Sequence, residues 1–253
     1  MKIDHICPNL YRIQIPFEDI YTSVYVVRTQ KSTAIIDSGA DASDADRHIL
    51  PAMQQLVIAS DNVCCLLLTH AHGDHAGGLN RLAAHFPQAL IYASFPIDLP
   101  RYNPLHDNEI LMQDLKVISL PGHVDHSVGF LHLPSGTLLS GDCLQLKGIG
   151  KYRKNIADRD AYENSVHKLL NMNLNRIIAA HEFDPLGSVA DGRQAVRLYL
   201  EKCLEFLVIK NFTALCTPIG NRNRGLFSLF VHFAVFARRQ TKLSLEAGAK
   251  IRR

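Results

Sequence analysis

The chain has 253 residues, with 27 Lys and Arg against 24 Asp and Glu, 47% hydrophobic residues, no Trp and six Cys. Ample apolar content with ordinary charge and few cysteines excludes a disordered, a collagen-like and a disulfide-dense protein. A single α/β domain is common at this length, so length alone gives no reason to divide the chain.

The net charge of +3 is unevenly distributed along the chain. Residues 221–253 hold eight basic residues and one acidic residue, a net +7, which leaves −4 on residues 1–220. In the same segment, Phe recurs at every third position from Phe227 to Phe236, which on a helix places the rings near one face. The basic character therefore belongs to a Phe-rich C-terminal segment, and the rest of the chain is mildly acidic.

The cysteines and the apolar segments indicate the compartment. No CxxC pair occurs, and Cys64 and Cys65 are adjacent within an apolar run, which favours a reducing intracellular setting over a disulfide framework. The first residues lack the apolar core of a secretory signal, and the longest apolar stretch, residues 226–237, is too short to span a bilayer. We expect a cytoplasmic protein without a transmembrane segment.

The first forty residues alternate between apolar and polar side chains, which predicts strands. From Asp41 the apolar residues follow helical periodicity, and Pro51 marks either a break in that helix or the start of a second one. Further strands are each bounded by turn residues. Residues 94–114 are rich in Pro and are predicted to form a long loop, of the kind that covers a functional site. The predicted strands are Leu10–Pro16, Ser23–Arg28, Thr33–Ile36, Val63–Leu68, Leu90–Ala93, Leu115–Leu120, Gly129–Leu133, Thr137–Ser140 and Arg176–Ala180. The later predicted helices are Gly78–Phe86, Asp160–Leu170 and Gly192–Leu207.

A cluster of potential metal ligands directly follows the apolar strand Val63–Leu68. Within six residues the chain carries His70, His72, Asp74 and His75, separated by small residues. Residues two apart in an extended loop point the same way, so two histidines can hold one ion while the others turn toward a second.

Three more candidate ligands each follow a predicted strand: His123, Asp142 and His181. Seven donors, five of them imidazoles, favour zinc or another borderline divalent ion over calcium and magnesium, which prefer oxygen ligands. We expect all seven to gather at one edge of a sheet.

This ligand set resembles that of the metallo-β-lactamase superfamily, and the match runs in order through residues 1–206. The resemblance implies an α/β fold, the αββα metallo-β-lactamase sandwich, with two mixed sheets flanked by helices and the site at one edge. It implies a catalytic domain over residues 1–206. Residues 207–253 lie outside the resemblance, and we expect them to form a separate basic, Phe-rich C-terminal extension.

The resemblance implies a role for each ligand. His70, His72 and His123 would hold one metal, Asp74, His75 and His181 the other, and Asp142 would bridge them. Asp37, in Ile-Ile-Asp-Ser-Gly, would support the ligand loop from behind.

Two such cations share a water, lower its pKa and leave a bridging hydroxide as nucleophile, with Asp74 or Asp142 relaying a proton. The expected protein is a zinc-dependent hydrolase with two Zn²⁺, for which iron or manganese is the alternative.

After Asp142 the chain looks like the glyoxalase II pattern, in which a Gly-x-Gly-Lys segment presents a lysine, here Lys151, to glutathione. The two tyrosines of that pattern fall on Arg153 and Phe183, so a different thioester, an ester or a lactone of a small molecule is the expected substrate class. Lys151, Tyr152 and Arg153 are the candidate substrate-binding residues.

Two other functions stay open. One is a mononuclear iron enzyme resembling the persulfide dioxygenases of this fold, and the other is cleavage of RNA or another phosphodiester. The acidic balance of residues 1–220 disfavours nucleic acid as a partner, and the Phe-rich segment leaves a homodimer open.

Overall fold

A computed structural model describes residues 2–30, 32–144, 156–182 and 187–215 of the chain. Contacts divide the chain into two units, Met1–Leu204 and Glu205–Arg253. The first unit contains every described strand, and the described part of the second is the end of a helix. Most of residues 207–253, including the Phe repeat, lies outside the described residues, so the division at residue 206 stays a prediction.

The first sheet is mixed and has seven strands in chain order. They are β1 (Lys2–Cys7), β2 (Leu10–Phe17), β3 (Ile20–Arg28), β4 (Thr33–Ile36), β5 (Val63–Leu67), β6 (Leu90–Ala93) and β7 (Tyr102–Pro104). Strands β1 to β4 are joined antiparallel, and β4 to β7 are joined parallel. The parallel half of this sheet therefore ends its strands at one common edge.

The second sheet has six strands in the order β13-β12-β11-β10-β9-β8. They are β8 (Ile110–Leu111), β9 (Leu115–Ser119), β10 (Val128–His132), β11 (Thr137–Gly141), β12 (Arg176–Ala179) and β13 (Val189–Asp191). Only β11 and β12 run parallel among these described strands.

Helices flank the two sheets. The helix α1 (Ala42–Asp44) passes through a π-helical turn (Ala45–Ile49) into α2 (Leu50–Gln55), and a 3-10 turn covers Ser60–Asn62. The others are α3 (Gly73–Ala76), α4 (Leu79–His85), α5 (Arg159–Leu170) and α6 (Arg193–Leu215). No described helix has the length and apolar character needed to cross a membrane.

Alternation along the strands builds a core on both faces of the first sheet. On β3, Val24 and Val26 pack with Ile49 of the π-helical turn, whereas Tyr25 packs with Phe130 of the second sheet. A strand buried on both faces reads as a continuous apolar run, as β5 and residues 24–27 of β3 do. These layers confirm the expected αββα sandwich of two mixed sheets flanked by helices.

The structure differs from the sequence-based prediction at the edges of the sheets. Strands β1 and β13 were not predicted, and residues 94–114, expected to be a long loop, contain β7 and β8. These edge strands are short or half exposed, so backbone pairing rather than an apolar pattern creates them. Pro51 lies at the start of α2, where its missing N–H costs little, and so matches the second helix start.

The glycine pair that follows the histidine string lies against the loop after β4. A Cβ on Gly77 would stand 1.9 Å from the carbonyl oxygen of Ala40, and one on Gly78 would stand 2.1 Å from that of Ser38. Since both obstacles are backbone atoms, no side-chain rotation can make room.

Gly77→Ala is therefore expected to lower the free energy of unfolding by about 2 kcal/mol or more, because the α3–α4 junction must move off the β4 loop. Urea denaturation measures the change. Gly73→Ala is the matched control, since nothing lies within 4 Å of the Cβ it would add, and it should change stability by less than about 1 kcal/mol. Equal effects of both substitutions would contradict this packing argument.

Candidate metal centre

The ends of four strands meet at one edge of the sandwich and carry Asp37 and most of the candidate ligands. Asp37 follows β4, the histidine string follows β5, Asp142 follows β11, and His181 comes shortly after β12. Backbone hydrogen bonds join the two sheets there, from Ser23 N–H to the Ala180 carbonyl at 2.9 Å and from Val128 N–H to the Thr69 carbonyl at 3.0 Å. The ligand loops of both sheets are thereby held at one place.

The histidine string changes direction at His72. This residue is extended, with φ −64° and ψ 148°, and it forms the N-cap of α3. His70 and His72 therefore lie before the helix, while Asp74 and His75 project from its first turn. One short segment thus supplies donors to two neighbouring positions.

The first group of donors contains His70, His72, His123 and Asp142, whose donor atoms all lie within 4.8 Å of one another. Nδ1 of His72 is 2.9 Å from Nε2 of His123. Oδ2 of Asp142 is 3.6 Å from Nε2 of His123 and 4.0 Å from Nε2 of His70. His70, His123 and Asp142 are buried, and His72 is exposed to solvent.

The second group contains Asp74, His75 and His181. Oδ2 of Asp74 is 3.1 Å from Nε2 of His181 and 3.4 Å from Nε2 of His75. The other carboxylate oxygen of Asp142, Oδ1, is 3.3 Å from Nε2 of His181 and 3.4 Å from Nε2 of His75. Asp142 therefore turns one oxygen toward each group.

Hydrogen bonds on the far side of the rings orient three of the histidines. Nδ1 of His75 lies 2.8 Å from Oδ2 of Asp37, and Nδ1 of His181 lies 2.8 Å from the carbonyl oxygen of Tyr21. Nδ1 of His70 lies 3.0 Å from Oγ1 of Thr69. With Nδ1 engaged, Nε2 of each ring is left for the centre, which is the usual arrangement around a bound metal.

Burial and charge shift the titration of these groups in opposite directions. Burial holds the pKa of His70 well below its usual value. Burial also opposes the charged forms of His75 and Asp142. The negative charge of Asp142 nevertheless raises the pKa of His75. The positive charges of His181 and His75 lower the pKa of Asp142. The buried carboxylates thus favour positive charge at this place, which a divalent cation also supplies.

The donor set fits a borderline divalent metal. Nε2 of His70 is buried and makes no hydrogen bond to any described residue, which is costly unless another partner takes its lone pair. Imidazole nitrogens combined with carboxylate oxygens suit zinc, iron and manganese better than calcium.

The structure brings the seven predicted ligands together and places Asp37 directly behind His75. Lys151, Tyr152 and Arg153, the candidate substrate-binding residues, lie outside the described residues. Sequence reasoning did not identify Thr69 and Tyr21. Thr69 could have been noticed from its place next to the string, but Tyr21 contributes a backbone carbonyl, for which side-chain identity gives no signal.

Comparison with known proteins identifies relatives. Residues 18–181 match the family model of the metallo-beta-lactamase superfamily. An uncharacterised protein of Bacillus subtilis, YobT, is 31% identical over 150 residues, which is 49% of this chain and 62% of that protein. A lactamase-like protein of Emericella nidulans, aptB, is 28% identical over 223 residues, which is 85% of this chain and 67% of that protein.

A hydroxyacylglutathione hydrolase of Aeromonas hydrophila is 30% identical over 145 residues, which is 55% of this chain and 52% of that enzyme. The chain thus matches about half the length of this relative. Among solved structures, a metallo-beta-lactamase family protein of Thermus thermophilus has a TM-score of 0.68 at 22% identity, covering 90% of this chain and 88% of that one. At this identity the likeness shows the fold alone.

Asp37→Asn is expected to weaken zinc binding by the second group about 10- to 100-fold. Because Thr69 N–H holds Oδ1 of residue 37 in place, the new amide N–H group would face Nδ1 of His75. The ring then favours the tautomer with its proton on Nε2. A protonated Nε2 has no free lone pair and cannot be a metal ligand. Zinc titration against a competing chelator measures the affinity.

The matched control is Asp46→Asn, which changes an exposed carboxylate paired with Arg81 and should leave zinc affinity unchanged. Two zinc affinities in Asp37→Asn equal to those of the parent protein would contradict the orienting role of Asp37.

Proposed function

The chain belongs to the metallo-beta-lactamase superfamily, and from this membership we propose that it is a metal-dependent hydrolase acting on an ester-like bond of a small molecule. The observation that carries the proposal is the pair of adjoining donor groups, with one oxygen of Asp142 turned toward each. A carboxylate so placed can bridge two cations. The proposed enzyme is thus a binuclear one, with zinc as the expected metal and iron or manganese as alternatives.

The proposed ligands are His70, His72, His123 and Asp142 for one ion, and Asp74, His75, His181 and Asp142 for the other. Two divalent cations held there would lower the pKa of a water toward neutrality and polarise the bond to be cleaved. The remaining steps depend on the residues of the chain itself.

Asp74 is the proposed proton carrier. Its side chain is 15% exposed, whereas that of Asp142 is 6% exposed, so Asp74 is the carboxylate better able to pass a proton to solvent. The hydroxyl of Thr22 donates a hydrogen bond to Oδ2 of Asp74, with 3.5 Å between the two oxygen atoms. Asp142 is buried among imidazoles and is proposed to act only as a ligand.

The substrate is proposed to approach on the side of His72. This ring is exposed, whereas His70 and His75 behind it are buried, so the donor cluster meets solvent at His72. A small molecule can therefore reach the two groups without displacing the core.

A thioester is the proposed bond class, with a lactone or an oxygen ester as alternatives. It is supported by the hydroxyacylglutathione hydrolase relatives, although they align with about half of this chain. The five described cysteines are free, which supports the proposal that the enzyme acts in the cytoplasm.

Removal of metal tests this proposal first. The protein purified with its own metal should contain about two divalent ions per chain. In a panel of thioesters, lactones, oxygen esters, phosphodiesters and β-lactams, it should hydrolyse at least one thioester, lactone or oxygen ester. Dialysis against a chelator should abolish that hydrolysis, and added zinc should restore it. One iron per chain with oxygen consumption on a persulfide, or cleavage confined to RNA, other phosphodiesters or β-lactams, would overturn the proposal.

His72→Ala is expected to reduce hydrolysis at least about 100-fold, because losing a ligand should cost more than losing a group behind one, which typically costs about 10- to 100-fold. Bound metal should fall in parallel, and steady-state kinetics with metal analysis measures both. His167→Ala, which alters an exposed histidine on α5, is the matched control and should behave like the parent protein. Unchanged hydrolysis in His72→Ala would contradict its role as a ligand.

A further inference from the structure

The adjacent cysteines Cys64 and Cys65 lie on β5, on the same side of the first sheet. Successive side chains of a regular strand point to opposite faces. Here the register with β4 shifts: Thr33 pairs with Val63 and Ala34 pairs with Cys65, so Cys64 is an extra, unpaired residue on β5. Such a β-bulge re-aims a side chain, and both cysteines consequently pack with the core between the two sheets.

The bulge brings the two sulfur atoms to 3.4 Å. A disulfide requires about 2.05 Å, so this separation suits two separate thiol groups better than an S–S bond. At a bond length of ~2.3 Å to each sulfur, one shared atom would subtend an S–X–S angle of about 95°. That angle is typical of a pyramidal trivalent centre, whereas a linear ion would need the sulfurs ~4.6 Å apart.

Within the part of the chain that the structure describes, the pair offers two ligands and no third donor joins it. Among the described residues, the groups of three or more His, Cys, Asp or Glu donors that could share an ion do not include Cys64 or Cys65. A zinc ion would require further donors to complete four-coordination. The pair therefore matches a trivalent atom that keeps one substituent and can exchange its other two bonds for bonds to sulfur.

We propose that Cys64 and Cys65 form a dithiol site that binds monosubstituted trivalent arsenicals. The two S–H bonds and the As=O bond of an arsine oxide break, two As–S bonds form, and the two protons leave with the oxygen as one water. Arsenic stays trivalent throughout, so the step needs no oxidant or reductant.

Access and thiolate character support the site. Cys64 is partly exposed, and Cys65 behind it is 6% exposed. The contact with the Cys65 thiol lowers the pKa of Cys64, burial opposes this shift, and a hydrogen bond with Ser32 adds to the lowering. Cys64 is therefore expected to react first and Cys65 to close the ring, as thiolates are the nucleophiles in such reactions.

The dithiol site is separate from the candidate metal centre. Five residues separate Cys64 from His70, and the six steps of extended chain that join them span ~20 Å. An arsenical bound at the bulge would thus leave the metal ligands in place.

Titration of the metal-loaded, full-length protein with phenylarsine oxide tests the proposal, with intact mass and the number of remaining reactive thiols after denaturation as the readouts. One phenylarsenic group per chain should bind at stoichiometric addition, and two of the six thiols should be lost. Metal content should stay constant. The adduct should resist glutathione and be released by a small dithiol, because a chelate is held by two bonds.

Cys64→Ser and Cys65→Ser should each weaken binding at least about 100-fold, since only one As–S bond remains. Cys7→Ser is the matched control, because Cys7 is another partly buried thiol packed on the same core, and it should retain the adduct. If either variant fails to fold, the glutathione challenge on the parent protein decides. Release by glutathione alone, or an undiminished adduct in Cys64→Ser, would overturn the proposal.

Discussion

The buried carboxylate of Asp37 is the interaction on which the candidate metal centre depends. One oxygen accepts the N–H of Thr69 at 2.8 Å, and the other lies 2.8 Å from Nδ1 of His75. It thereby ties the loop after β4 to both ends of the histidine string. The backbone of Asp37 has a φ of 65°, in the left-handed region. The surrounding structure must offset the cost of this conformation.

The glycine pair next to the string serves the same contact. Because Gly77 and Gly78 carry no Cβ, the α3–α4 junction can lie directly on the backbone of the loop that follows Asp37. Ser38 strengthens this attachment through its hydroxyl, which donates to the His75 carbonyl at 2.8 Å. The direction of His75 is therefore set by backbone packing as well as by the carboxylate.

The second sheet completes the centre from the opposite side. Asp142 directly follows β11 and His181 comes shortly after β12, and these are the two described strands of that sheet that run parallel. The Tyr25 hydroxyl on β3 donates to the Ala179 carbonyl at 3.2 Å, which joins the sheets close to His181. Neither sheet alone holds either donor group, so the centre forms only when the sandwich closes.

By itself, the sequence predicted sheets flanked by helices and seven donors, because apolar strands and an unusually dense string of ligands leave a pattern in the residues. The family resemblance that those residues carry implied the αββα sandwich and the division of the donors into two groups. The sequence-based prediction missed β1, β7, β8 and β13, since short edge strands form by backbone pairing and carry little apolar periodicity. Only the tertiary structure decided that the Tyr21 carbonyl orients His181 and that a bulge turns Cys64 toward Cys65. Those features depend on distances between backbone segments far apart in the chain, or on strand register, and neither is written in residue identity.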